Sequence, residues 1–437
     1  MIPVAPALYS DDEKAVVQTH TVRVLLASQT SGGVGLVATY IVSALLAKDI
    51  TGSATLATIA AACLSIGAAL VSVPLSRVMA KKGRRAGLRM AYLVGVAGAA
   101  CAVLAAITRN YPLLCLGVLG AGAGNAANLA TRYAASDLAH EDRRARTISI
   151  IVWATTIGST TGSVASGFAS DFGNTIGLPD KAGSYVLSGL MFLIAAAIVE
   201  FFLRPDPLVV AGGIGQQTVD TTQPTPREAM HLIWDNPSAR LAVGAMIVCQ
   251  VTMVGVMALT PLHMDDGGQS QNAIGMMMAM HIWGMYAFSP LVGLLTDRIG
   301  SFPMLYICGG LCTWGAFWAA LTPGDAKLGV FMGNFLIGLG WCFGVIAASS
   351  LIVSLFPIHQ RVAVQGVGDS AMIGAGAIAG LSSGALYSVF DYRGVNYANA
   401  AFGIALISGV AITYFAMRRS RIADAELPTE DDAVTTS

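Results

Sequence analysis

"SRVMAKKGRR" at 76–85 and "GLLTDRIGS" at 293–301 decide how this chain is organised. Each is a short polar stretch in an apolar sequence, and alignment sets Gly83 on Gly300 and Lys81 on Arg298. The first follows the second long apolar segment and the other follows the eighth, so the chain reads as one plan used twice. A membrane-spanning helix takes roughly 20 apolar residues. Breaks at charged and Gly/Pro-rich points give twelve such segments, near 22–46, 52–79, 88–108, 112–137, 147–170, 184–203, 239–263, 271–296, 302–322, 327–354, 363–390 and 397–417. The longest polar interval, 204–238, comes after the sixth and holds a short amphipathic piece, "REAMHLIWD". The expected organisation is a six-helix half (1–203), a linker (204–238), a second six-helix half (239–417) and a tail (418–437).

Composition agrees. Of the 437 residues 55% are hydrophobic and 11% charged, where a soluble domain carries about 25% charged residues. A formal net charge of zero argues against nucleic acid as a partner. Seven cysteines lie scattered in apolar stretches with neither zinc-type nor paired-loop spacing. The polar, acidic opening "MIPVAPALYSDDEKAVVQ" lacks the pattern of a cleaved signal, so the first apolar helix is expected to stay in the mature chain. With both termini in the cytosol, 20 of the 25 Lys and Arg fall on the cytosolic side. The other five are Lys48, Arg109, Lys181, Lys327 and Arg393. Positive residues favour the inside, so that orientation is the expected one.

The two loops resemble the signature G-x-x-x-D-R-x-G-R/K of the major facilitator superfamily. The second copy keeps Gly293, Asp297, Arg298 and Gly300; the first has Ser76 for the glycine and Ala80 for the aspartate. The resemblance implies an all-α membrane protein of twelve transmembrane helices in two pseudo-symmetric halves, with Asp297 and Arg298 as gating residues. In the first half it leaves no acid for such a gate. "GSTTGSVASG" (158–167) looks like the superfamily's glycine-rich antiporter motif without its proline. "SGGVG" (31–35) and "GAGAGNAAN" (120–128) read as packing or hinge sites, because small residues let membrane helices approach closely.

Nine of the 18 methionines lie between 246 and 285. Met253 and Met257 are spaced i, i+4 on span 7, and His281 and Met285 are spaced i, i+4 on span 8. Each pair therefore shares a helix face. Met253 and His281 both fall nine residues inside their spans, roughly 13 Å deep at the helical rise. Thioether and imidazole suit copper, while hard ions want carboxylates, which this depth lacks. Methionine is also a flexible core filler and a lining for variable apolar cargo, so spacing alone leaves both readings open. Met276, Met277, Met278 and Met280 point around the whole helix and read as packing.

M-x-x-x-M in span 7 followed by H-x-x-x-M in span 8 resembles the CcoA-like copper importers, the CalT group within the superfamily. Met253, Met257, His281 and Met285 match the motif, and "TPLHM" (260–264) and "MYAFSPLVGLLTDR" (285–298) look like the group as well. The resemblance implies copper uptake through these four residues across the bacterial inner membrane. The group also contains riboflavin carriers.

Ionisable residues within spans are costly and are usually paired or functional. Arg132 and Asp137 near the end of span 4 and Asp369 in span 11 are expected to form a cytosolic gate or a proton relay. Glu200 reads as reaching the interface, and Gln250, Asn125, Asn128 and Asn334 as cavity lining. Cys308 and Cys312 read as buried apolar residues. Without a Walker loop or a catalytic constellation, no enzyme is expected, and no resident cofactor. The expected protein is a monomeric secondary transporter of alternating access in the bacterial inner membrane, its partners the lipid bilayer and a small substrate. Copper is the favoured cargo. The alternative is a proton-coupled carrier of an amphipathic organic molecule, either drug-like or riboflavin.

Overall fold

In a computed structural model the described residues are 9–179, 181–214 and 224–425, and they are almost wholly helical. The spans are α1 (Asp11–Thr51), α2 (54–82), α3 (84–108), α4 (Tyr111–Ser136), α5 (Arg144–Thr175) and α6 (Ala182–Phe202), then α7 (Pro237–Asp266), α8 (Gln271–Tyr286 continued by Ser289–Ile299), α9 (Ser301–Leu321), α10 (Lys327–Leu355), α11 (358–390) and α12 (392–425). Between α6 and α7 lie a short turn of helix, Pro207–Val210, and a linker helix, Pro226–Asp235. The tail beyond 425 and residues 215–223 of the linker lie outside the described residues.

Local chemistry sets the ends. Ser10 and Glu13 form a capping box, so α1 starts a full three turns before its apolar stretch. Its polar first turns need no lipid because the cap satisfies their free N–H groups. Thr225 and Glu228 cap the linker helix in the same way, and Asn236 caps α7 through the N–H groups of Ser238 and Ala239. In α8 the helix slips at Phe288, just before Pro290, whose missing N–H breaks the ladder.

The two loops of the repeat adopt one backbone geometry. Gly83 has φ 92° and ψ 166°, and Gly300 has φ 88° and ψ 165°. Both conformations are open only to glycine, so the repeat is conformational as well as verbal.

Glycine packing joins helices inside each half. A β-carbon on Gly67 of α2 would overlap the Leu119 carbonyl of α4, and one on Gly122 would overlap the Leu64 carbonyl. The α1–α5 contact rests on Gly158, where a β-carbon would lie 2.7 Å from the Thr30 carbonyl and 3.1 Å from Gly33. The glycine-rich segments of α1, α4 and α5 thus act in close packing. Between the halves, α2 packs along α11 and α5 along α8, mostly on its Ser289–Ile299 part and little on Gln271–Tyr286. The halves therefore meet at the end of the bundle that carries the linker, called the linker side below.

Candidate functional site

A cavity lies on the axis between the halves. The first half lines it with Gln29 (α1), Asn125, Asn128 and Arg132 (α4), and Thr155 (α5), and the second half with Tyr286 (α8) and Trp341 (α10). Polar groups come mainly from one side and aromatic rings from the other. Tyr286 and Trp341 meet edge to face, centroids 5.5 Å apart, and the Trp341 indole N–H donates to Gln250 Oε1 at 2.7 Å. Gln29 Nε2 donates to the Thr155 hydroxyl at 2.9 Å, and the Tyr92 hydroxyl donates to Asn128 Oδ1 at 2.8 Å. The other end of each amide, Gln29 Oε1 and Asn128 Nδ2, is buried with no partner among the described residues.

Arg132 closes the cavity toward the linker side. Its Nη2 donates to Asp369 Oδ1 of α11 at 2.5 Å, its Nε to the Ser349 hydroxyl of α10 at 3.0 Å, and its Nη1 to the Leu129 carbonyl. The guanidinium also stands 4.3 Å over the Tyr133 ring. Asp137 does not join this pair as expected. It accepts two bonds from Arg84, at 2.8 and 3.0 Å, and both side chains are buried. Asp137 ends α4 on the face toward α3, where Arg84 is the first residue after the Gly83 turn. In the sequence Arg84 passes for one more loop cation in "KKGRR".

Asp297 crosses the seam by a different bond than an ion pair. Its carboxylate accepts the N–H groups of Ala145 and Arg146, at 2.9 Å each, at the start of α5. A carboxylate there satisfies free N–H groups and meets the positive end of the helix dipole. Arg298 beside it is exposed.

The methionine–histidine set occupies a different place. Met253 and Met285 are buried, Met257 half-buried and His281 wholly buried, and none of the four lines the central cavity. α7 and α8 scarcely touch, since α10 packs against both. His281 faces α10, where its Nδ1 lies 2.8 Å from the Asn334 carbonyl. A carbonyl only accepts, so Nδ1 carries the proton and Nε2 presents a lone pair; Nε2 has no partner among the described residues.

Of the expected lining residues, Asn125 and Asn128 reach the cavity, while Gln250 stands behind Trp341. Asn334 does not line it: it is wholly buried, with Nδ2 bonded to the Val330 carbonyl of its own helix at 3.0 Å and 3.4 Å from the Thr260 hydroxyl of α7. Glu200 pairs with Arg89 at 2.8 Å and Arg204 at 3.3 Å near the linker. Cys308 and Cys312 are buried. Sequence reasoning passed over Gln29, Thr155, Tyr286, Trp341 and Arg84. Gln29, an amide within an apolar helix, was the one signal available.

Comparison with known proteins places the architecture. The sequence profile of the Major Facilitator Superfamily matches residues 24–270 and 241–434. The chain is 33% identical over 407 residues to the uncharacterized MFS-type transporter YddS of Bacillus subtilis (strain 168), covering 93% of each. It is 26% identical over 360 residues to the riboflavin transporter RfnT of Brucella anthropi, covering 81% of this chain and 85% of that one. Among solved structures, the human organic anion transporter MFSD10 aligns with a TM-score of 0.71 at 11% identity, over 90% of this chain and 99% of the other. A bacterial homologue of the iron transporter ferroportin, outward-facing, aligns at 0.68 and 14%, over 91% and 99%. At those identities the structures speak to fold alone. With a profile spanning both halves and a relative one-third identical along nearly the whole length, the chain belongs to the major facilitator superfamily of secondary transporters.

Proposed function

We propose that this transporter carries a small amphipathic organic solute bearing an aromatic ring, bound in the central cavity and passed across by alternating closure of the two sides. One observation carries the reading: the cavity sets Gln29 and Asn128, each with one amide end buried and unpartnered among the described residues, opposite the rings of Tyr286 and Trp341. A buried polar group without a partner costs about 1–3 kcal/mol. A cargo that supplies the missing bonds while its ring meets the aromatic wall recovers that cost. Arg132, Asp369 and Ser349 form the gate on the linker side. By the distribution of positive residues that side is the cytosol, with both termini inside, and the protein is read as a monomer of the bacterial inner membrane.

Similarity to a riboflavin transporter makes riboflavin the first probe. Cells expressing the protein should accumulate radiolabelled riboflavin or a compound that competes with it. Trp341→Ala and Gln29→Leu should each lower uptake about two- to tenfold, the scale of one lost ring contact or hydrogen bond, without loss of membrane insertion. Uptake unchanged in both variants would sink the reading.

A second reading, copper carried by Met253, Met257, His281 and Met285, is favoured by the tautomer of His281. Metal-binding histidines typically donate one ring N–H to a carbonyl and offer the other nitrogen to the metal. Uptake of radioactive copper separates the two. Copper cargo is lost with His281→Ala or Met257→Ala and survives Trp341→Ala, and it is indifferent to Met276→Leu and Met278→Leu. Organic cargo gives the reverse order.

A further inference from the structure

Two buried ion pairs lie near the seam, and alternating closure treats them differently. Arg84 and Asp137 both belong to the first half, so their pair moves as one body. Arg132 is in the first half and Asp369 in the second, so opening the linker side must part them. Parting strands two charges in an interior that solvates them poorly. Arginine keeps its proton, and Arg132 retains the Leu129 carbonyl and the Tyr133 ring from its own helix. Among the described residues Asp369 has no such support from its own half, since Tyr133, which also reaches it, belongs to α4. The nearest cation on α11 is Arg361, two turns away and bonded to the Phe356 carbonyl. Neutralising the Asp369 carboxylate lowers the cost of parting the pair.

The surroundings provide a path. Arg132 lines the central cavity, whereas Asp369 lines a second cavity on the linker side of the pair with Ser72, Ser76, Arg84, Tyr133 and Gln365. That cavity has a volume of about 20 Å³, and one water needs roughly 10–15 Å³. Gln365, one turn from Asp369, accepts from Arg84 Nη2 at 2.9 Å. Its Nε2 is buried without a partner among the described residues.

We propose that Asp369 is the coupling-proton site of this transporter, with Gln365 and the second cavity leading the proton to the linker side. The inference rests on the alternating closure proposed above and not on the identity of the cargo. The carboxylate takes one proton from water reached through the central cavity and becomes a neutral carboxyl, while Arg132 stays a cation. The proton leaves through the second cavity as the pair re-forms. Around Asp369 the charged or titratable groups are Arg132 and Tyr133 of α4, Arg84 of α3 with Asp137 behind it, and Arg361 of α11; Ser349 of α10 and Ser72 and Ser76 of α2 are neutral.

The test needs no cargo. Spin labels at Lys81→Cys and Gln360→Cys, across the α2–α11 seam, report linker-side opening of the full chain in lipid nanodiscs. Between pH 8 and pH 5 the otherwise native protein should shift toward the longer distance. Asp369→Asn should already show the longer distance at pH 8 and lose the pH response, and Asp369→Glu should keep it. Asp137→Asn should also keep the response, and Gln365→Leu should slow the change after a pH jump while leaving its end points alone. The proposal is overturned if the distance ignores pH, if Asp369→Asn responds like the parent, or if Asp137→Asn alone abolishes the response. None of these results depends on whether riboflavin or copper is carried, so failure of the cargo reading remains distinguishable.

Discussion

The two seams that hold the halves together, α5–α8 and α2–α11, are built from the same positions with the residues exchanged. The offset of 217 that relates Gly83 to Gly300 also relates Ser76 to Gly293 and Ser149 to Gly366. At one seam Gly293 of α8 receives the Ser149 side chain of α5; at the other Gly366 of α11 receives the Ser76 side chain of α2. Each contact has one glycine and one serine, on opposite partners. The departure of Ser76 from the loop signature is therefore a transposition, and the volume at the contact is kept. The acid is different. Asp297 caps α5, which starts at Arg144, whereas α11 starts at Ile358, so Val362 and Ala363, the matching positions, already lie inside a helix. No free N–H groups await an acid there, and Ala80 suffices.

Overfilling a seam should have the largest effect. Gly293→Leu drives a side chain into Ser149 and the Ala145 carbonyl, and Gly366→Leu into Ser76. Overpacking of about 1–3 kcal/mol should shift the linker side toward open by about fivefold or more, read by thiol accessibility of residues at the seam. Equal, small shifts would show that the seams do not hold the closed state.

Changing the acid comes next. Asp297→Ala should weaken its seam by about 1–2 kcal/mol, as the loss of a helix cap does, and Ala80→Asp should also destabilise, by about 1–3 kcal/mol, because Ala80 is buried and no free N–H groups await the carboxylate. A stabilising Ala80→Asp, seen as a raised melting temperature, would mean that α11 needs a cap after all. The transposition itself is tested by a double-mutant cycle. Gly293→Ser should be destabilising alone and largely restored with Ser149→Gly, with a coupling of roughly 0.5–3 kcal/mol. Smallest of all, Arg298→Ala should change seam stability by less than about 0.5 kcal/mol, because the side chain is exposed.

Particular residues show how far the sequence could be read. Arg132 and Asp369 stood out because charges in apolar spans are rare. The partner of Asp137 did not, because Arg84 sits among loop cations and only the turn at Gly83 carries it back against α4. The i, i+4 pairs on α7 and α8 were legible within each helix, but the intervention of α10 was not, and Asn334 was misjudged for the same reason. Aromatic cavity residues carry no local mark. Trp283 is 60% exposed, while Tyr286, three residues on, lines the cavity, and nothing in their chemistry separates them.

By itself the sequence determined the apolar spans, the linker, the doubled plan and the positions of the costly charges. Each follows from local properties: the length of an apolar run, a glycine where φ is positive, a charge where water is scarce. The tertiary structure alone decided which charges meet. Arg132 and Asp369 are 237 residues apart, and they pair because α4 and α11 face each other across the axis. Arg84 and Asp137 pair within a half, behind a single turn. Whether an ion pair is parted by transport depends on which half each partner belongs to, and that is a property of how the two halves dock.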